Sequence, residues 1–238
     1  MVSSYTPTLT ALLHANRHPA RGSAIPRLLI ISQPETPGSP PLPGTEVEVR
    51  AIQKISSSTG RLATTLLDRQ AVTVLAVLHN MKECNWIHTA CHAIQDTASP
   101  TDSGFLLPDG RLTLAEIMGH HFSHTELAVL TACQTATGDA NLPEEAAVHL
   151  AAGMMSAGYG SVVATMWAIR DSDGPIIMEK FYEYLMFHAG GNGARAAYAL
   201  HHAVAHLRDI KGEEYFARWV PLIHFGTCSS SSSADPTR

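Results

Sequence analysis

The sequence predicts an α/β fold: a mostly parallel sheet with helices on both faces, in three α/β/α layers. Three observations carry that expectation. Short apolar runs, Arg27–Ser32 (RLLIIS), Glu126–Ala132 (ELAVLTA) and Ser161–Ala168, have the unbroken hydrophobicity of strands buried on both sides. Amphipathic stretches alternate with them, the pattern of parallel strands joined by crossover helices. The chain has 238 residues, 45% hydrophobic and 16% charged, enough for a sizeable core and too apolar for global disorder.

Element by element, Tyr5–Ala15 places Leu9, Leu12 and Leu13 on one side of a short amphipathic helix. Arg27–Ser32 is the first strand, and Gln33–Gly44, with five prolines, is a loop. Thr45–Ile55 reads as a helix with Val47, Val49 and Ile52 among charges. Arg61–Leu67 reads as a second strand, and Gln70–Met81 as a helix with Val74, Leu75 and Leu78 on one face. Asn85–Cys91 is a strand. Ser103–Leu107 and Arg111–Leu112 flank the turn Pro108-Asp109-Gly110. Thr113 is positioned to cap Leu114–Met118, with Glu116 at the capping-box offset. Glu126–Ala132 follows as a strand, then Pro143–Ala157 as a helix stopped by Gly158, and Ser161–Ala168 as another strand. Asp171–Phe187 and Asn192–Arg208 are helices separated by Gly190-Gly191. Tyr215–Phe225 is a last strand, whose Pro221 points to a sheet edge. Residues 1–226 thus form one expected domain, and 227–238 a serine-rich tail expected to be disordered.

Composition narrows the function. Acids outnumber bases by 21 to 16, which argues against a nucleic-acid binder. Four cysteines, Cys84, Cys91, Cys133 and Cys228, are too sparse for a disulfide scaffold, so free thiols in a reducing, cytoplasmic compartment are expected. Met1 to Ala11 has no charged n-region and no long apolar h-region, so no signal peptide is expected. Leu150–Ile169 is uncharged and of membrane-span length. Its Gly153, Gly158 and Gly160 make it a helix end, a turn and a strand instead, and no membrane association is expected.

Ligands of open α/β sheets bind beyond the carboxyl ends of the strands. Two buried strands end there in reactive groups: Asn85–Cys91 runs into His92, and Glu126–Ala132 into Cys133. If the two strands are parallel neighbours, a thiol and an imidazole emerge at one edge, the minimum set for thiol nucleophilic catalysis. The backbone N–H groups of Cys133 and Ala93 are the candidates for holding an oxyanion. A lone cysteine is more often a small core residue; the matched strand ends are what favour a catalytic Cys133.

Four blocks, IHTACHAIQD, SGFLLPDGRLTLAEI, LAVLTACQTATGD and SVVATMWAIRDSD, in this order and spacing, resemble the CHAT family of caspase-like proteases. LLIISQPE…LPGTEVEVRAI and the late YEYL…AYALHHAV…YFARWVPLIHFG extend the similarity over roughly Tyr5 to Gly226. The resemblance implies a caspase-like fold and a Cys–His dyad, with His92 as the catalytic histidine and Cys133 as the nucleophile. It implies a protein or peptide substrate and no cofactor or metal. It further implies a setting of regulated cell death or defence, beside sensor or repeat-domain proteins, with gasdermin-like pore-formers among the substrates. The family usually carries glycine after the histidine, where this chain has Ala93.

In such a fold Trp167 borders the cleft, as a pocket wall or as ordinary core. Asp171 and Asp173 follow at the same edge, either to select a basic substrate residue by charge or to cap a helix. Asp96 is a further acidic candidate, with a solvated loop as its plain alternative. The cluster Cys84, His88, Cys91, His92 is rejected as a zinc site, because Cys91 points to the opposite face of the strand from His88 and no second ligand pair has regular spacing. His120, His121 and His124 read as surface loop residues. Two rivals stand beside the endopeptidase: a catalytically inactive caspase-like interaction module, and a different thiol hydrolase or transferase on the same edge.

Overall fold

The computed structural model describes residues 2–8, 25–96, 98–120, 122, 124–131, 146–167 and 169–227, with backbone only for 146–149. At its centre β1 (Arg27–Ser32) lies between β2 (Ala63–Asp68) and β3 (Trp86–Ala90), parallel to both. Next to β3 come β7 (Leu127–Leu130) and β8 (Ser161–Thr165), also parallel, and then the antiparallel edge strand β9 (Leu222–Gly226). The order is β2-β1-β3-β7-β8-β9. A small antiparallel sheet of β4 (Ala93–Ile94), β5 (Gly104–Leu107) and β6 (Gly110–Thr113) stands apart from it.

Alternation along the strands divides the core. Leu29, Ile31, Ile87, Ala128, Leu130 and Val162 face α2 (Val74–Glu83), α3 (Leu114–Gly119) and α4 (Ala146–Ser156). Leu28, Ile30, Trp86, Leu127, Val129 and Val163 face α1 (Gly44–Thr59), α5 (Gly174–Glu183) and α6 (Ala196–Lys211). Both faces are covered, as the unbroken apolar runs require.

Caps set the helix ends. Thr113 and Glu116 form the expected capping box on α3. Thr73 caps α2, and the Asp109 carboxylate accepts from Val74 N–H at 3.0 Å. Gly158, at φ 110°, stops the chain after α4 where a side chain would be strained.

At the amino ends of the strands one carboxylate ties three segments together. Glu126 Oε2 accepts from Trp86 Nε1 at 3.0 Å and Asn85 Nδ2 at 3.2 Å, and Oε1 accepts from Gly193 N–H at 3.0 Å.

At the other side of the sheet the chain's beginning covers the β9 edge. Tyr5 N–H donates to His224 O at 2.8 Å, and Gly226 N–H donates to Tyr5 O at 2.9 Å. Ser4 Oγ donates to the Gly226 carbonyl at 2.7 Å, so the 2.7 Å contact with His224 Nδ1 must be donated by the ring. That fixes the tautomer: Nε2 accepts from Ser161 Oγ–H at 2.7 Å. Burial holds the His224 pKa at about 4 rather than 6.5. Between those values the unfolded chain binds a proton that the folded chain refuses. Stability therefore falls as pH drops from 6.5 toward 4, by up to about 1.4 kcal/mol per pH unit. Thermal melts across this range are expected to show that slope, and His224→Asn is expected to flatten it.

Several expectations shift. Tyr5 belongs to an extended bridge with Phe225 rather than to a helix; the rest of the expected helix, from residue 9, lies outside the described residues. The region expected as one strand, Tyr215–Phe225, begins with a 3-10 turn (Glu213–Tyr215) and a short helix, α7 (Phe216–Trp219), before β9. Its aromatic run mimics a strand, but the chain is helical through Trp219; the Pro221 carbonyl accepts from Met166 N–H at 2.7 Å, and the paired strand begins at Leu222. The helix expected over Asp171–Phe187 passes into a π-helical turn at Tyr184–His188. The tail 228–238 and the Thr137–Pro143 segment lie outside the described residues. Among those described, no helix is long and apolar enough to cross a membrane.

Candidate active site

The site begins with the proline-rich loop after β1. Gln33 N–H donates to Ala90 O at 2.9 Å, pinning the loop to the end of β3. The loop is tied internally by Ser39 N–H to Thr36 O at 3.0 Å and Leu42 N–H to Pro34 O at 2.8 Å. Its exit is tied to the β8–α5 connection: Asp171 Oδ2 accepts from Gly44 N–H at 2.6 Å. A Cβ on Gly44 would lie 2.3 Å from Asp171 O, so only glycine allows this approach.

His92 follows β3 by two residues, and its Nε2 lies 2.7 Å from the Pro40 carbonyl. A carbonyl only accepts, so Nε2 carries the hydrogen, and in the neutral ring Nδ1 is the basic atom. The ring is fully buried in this state. Its backbone is held too, by Leu106 N–H donating to His92 O at 2.8 Å.

That bond also orients the next residue. Ala93 pairs with Phe105 in the β4–β5 ladder. With His92 and Leu106 hydrogen-bonded, Ala93–Phe105 is a non-bonded pair, which turns the Ala93 N–H away from β5. Ala93 lies in a strand, and Arg69 is the only non-glycine residue with positive φ among those described. The backbone at position 93 therefore makes no demand that alanine fails to meet.

Strand β7 runs parallel beside β3, and Thr131 donates both its N–H and its Oγ1 to Thr89 O at 3.1 Å. Cys133 is two residues further on and lies outside the described residues. His92 and the chain leading to Cys133 thus leave the same edge of adjacent parallel strands.

The other expected site residues are occupied within the chain. Trp167 is half-buried, and its Nε1 donates to Ala217 O at 3.2 Å. Asp171 does not cap the adjacent α5, as the cap reading expected; its Oδ2 accepts instead from Gly44 N–H at the start of α1. Asp173 stands at the N-cap position of α5 without capping it; it is fully buried, and its Oδ2 accepts from Arg218 Nε at 2.7 Å. A carboxylate so paired is not offered to a substrate in this state. Asp96 Oδ1 accepts from Ala98 N–H at 3.0 Å and Ser99 N–H at 2.8 Å, so it shapes its own loop.

Cys84 and Cys91 belong to the core on the α2–α4 side, whereas His88 faces Glu48 and Tyr182 on the other. Burial raises the Cys84 thiol above its ordinary pKa, away from thiolate character. His120 packs edge-on against Phe122; His121 lies outside the described residues.

A CHAT domain profile matches residues 2–227. The chain belongs to the CHAT-domain family of caspase-like peptidases. No curated protein sequence matches it. Among solved structures, the Arg-specific cysteine proteinase gingipain R matches with a TM-score of 0.62 and 14% identity, covering 93% of this chain and 52% of that one. A complex of Porphyromonas gingivalis RgpB pro- and mature domains matches with a TM-score of 0.56 and 15% identity, covering 92% and 52%. The CHAT chain spans about half the length of these gingipain chains. It shares with them the caspase-like fold, a mostly parallel six-stranded sheet with helices packed against it.

Two features of the CHAT site were not legible beforehand. The Pro40 carbonyl has no side-chain signature; the only cue was a loop stiffened by prolines. Behind β3, Glu48 of α1 places Oε1 3.0 Å from His88 Nε2, out of hydrogen-bond alignment, and Tyr182 OH lies 3.2 Å from His88 Nδ1. Burial, and then the Glu48 charge, raise the Tyr182 hydroxyl well above its usual pKa. The group joins α1, β3 and α5.

Proposed function

We propose that this CHAT domain is a cysteine endopeptidase using Cys133 and His92. The observation that carries the reading is the orientation of His92 by Pro40 at the end of a strand paired with the strand leading to Cys133. The Cys133 thiol gives its proton to His92 Nδ1, and the thiolate attacks the peptide carbonyl carbon. The N–H groups of Ala93 and Cys133 receive the oxyanion. His92 then returns the proton to the amine as the C–N bond breaks, and water hydrolyses the thioester under the same base. Protein substrates follow from the family. A cytoplasmic setting in cell death or defence, regulation by a sensor or repeat protein, and a gasdermin-like substrate are extensions of the family resemblance. Trp167 is a wall of the cleft in this reading.

The complete burial of His92 favours a second reading, a CHAT fold that serves as an interaction module without turnover. In the peptidase reading the same burial means that the resting site is closed and must open for substrate. An electrophilic peptide probe separates the two. Time-dependent labelling that is lost in Cys133→Ala supports the peptidase, and no labelling over hours under reducing conditions overturns it. If the probe labels Cys133 but a peptide library is left uncut, the chain is instead another thiol hydrolase or transferase.

A further inference from the structure

His92 and His88 are both fully buried, but by different means. His88 is enclosed by the core, with Glu48 of α1 and Tyr182 of α5 against its ring, and both of these are buried in turn. His92 is bonded instead to Pro40, a residue that is itself exposed to solvent. One layer of chain therefore stands between that side of the imidazole and water.

That layer holds together as a unit. The bond from Leu42 N–H to Pro34 O closes the neck of a loop whose ends meet, Pro34–Leu42, in the manner of an Ω-loop. The bond from Ser39 N–H to Thr36 O braces its tip, where Gly38 takes φ 79°. Pro34, Pro37, Pro40 and Pro41 fix φ at four positions and offer no N–H, so the loop is stiff and has few donors with which to tie itself down. Its fixed points lie at either end, Gln33 on Ala90 O and Gly44 on the Asp171 carboxylate. Between them, among the described residues, the Pro40 carbonyl on His92 is its one hydrogen bond to the rest of the chain. The contact of Glu35 with Arg69, at 3.9 Å, joins two exposed side chains and adds little.

The loop is also loosely seated. A cavity of about 390 Å3 separates its residues Thr36, Pro37, Ser39 and Pro41 from Gln70 and Pro108 of the body. Gln33 Oε1 and Thr36 Oγ1 are closed to solvent and have no hydrogen-bond partner. Such atoms are uncommon in native structures and penalise the conformation that buries them. We propose that Pro34–Leu42 is a lid over His92, latched by the Pro40 carbonyl, which lifts about Gln33 and Gly44 to uncover the imidazole. Lifting brings water to the Thr36 hydroxyl, so its penalty falls on the closed state alone and keeps the latch weak. The use of this motion to admit a substrate rests on the peptidase reading above; the motion does not.

Diethyl pyrocarbonate, which transfers an ethoxycarbonyl group to an accessible imidazole nitrogen, tests the lid on the full chain, with each histidine resolved by tandem mass spectrometry. His92 is expected to react at least tenfold faster than His88, although both are fully buried at rest. Thr36→Val keeps the side chain's size and removes the unpaired hydroxyl. It is expected to slow the reaction of His92 severalfold while leaving Tm unchanged or higher. Leu42→Ala strips a buried side chain from the neck of the loop and is expected to speed that reaction at least tenfold. His88 should be indifferent to both changes. A His92 as unreactive as His88, a His92 rate that ignores Thr36→Val, or equal changes at His88 in both variants would overturn the lid, the last because opening would then be global. The electrophilic peptide probe tests the peptidase reading apart from this. Lid-dependent reactivity of His92 without labelling of Cys133 supports the lid and overturns the peptidase reading. Labelling of Cys133 at a rate unchanged by Thr36→Val and Leu42→Ala leaves the peptidase reading standing and overturns the lid as its gate.

Discussion

Cys133→Ala is expected to reduce peptide hydrolysis to background, and His92→Ala to lower kcat by about a thousandfold with little change in KM. The cysteine effect is the larger because no other group supplies the attacking atom. The histidine effect follows from the usual worth of a positioned acid–base group, about 10²–10⁴-fold. On the peptidase reading KM is spared, because the imidazole moves protons rather than holding the peptide. The double variant should be no slower than Cys133→Ala alone, since the two groups act as a unit. His92→Ala also leaves the Pro40 carbonyl without its donor. Thermal melts should therefore accompany the kinetics, so that a folding defect is not read as lost chemistry. Turnover retained in either variant would remove the dyad from the mechanism.

The largest effect on stability is expected from Glu126. Glu126→Ala strips the acceptor from Trp86 Nε1, Asn85 Nδ2 and Gly193 N–H at once. Asn85 in turn orders the start of β1, since its Oδ1 accepts from Arg27 N–H at 2.7 Å. Hydrogen bonds to a charged acceptor are individually worth about 1.5–3 kcal/mol, and water will reach part of this half-buried site, so a loss of about 3 kcal/mol is expected. For a chain of this size that corresponds to a fall in Tm of about 6–12 °C. Glu126 sits where β7 begins, and His92 where β3 has ended, so the activity of the molecules that remain folded should be unchanged. Glu126→Gln keeps an acceptor oxygen and should recover part of the loss. A Tm within 2 °C of the parent for Glu126→Ala would show that the three donors find other partners at no cost.

How much could be read beforehand depended on whether the signal was local. β1, β7 and β8 were legible because a strand covered on both faces must be apolar throughout. The α3 capping box was legible because its partners are three residues apart. β9 was misjudged in extent because Tyr215, Phe216 and Trp219 suit a strand as well as a short helix. His92 could be chosen from its place at a strand end, but not the carbonyl that orients it. Pro40 and His92 are distant in sequence, and every residue carries a carbonyl. Asp171 and Asp173 had the right composition for a pocket and the right place at a helix start. Which role each took was settled by Gly44 and Arg218, partners far along the chain.

By itself the sequence determined the family, the alternation of strand and helix, and the place of His92 just beyond a strand end. These are properties of short windows and of motif order, and short-range sterics and hydrophobic burial decide them. Only the tertiary structure decided that His92 is turned by Pro40 and fully enclosed, and that Asp173 is paired with Arg218. Hydrogen bonds and ion pairs act over a few ångströms between residues that the chain brings together from afar, and no local pattern encodes which partner arrives.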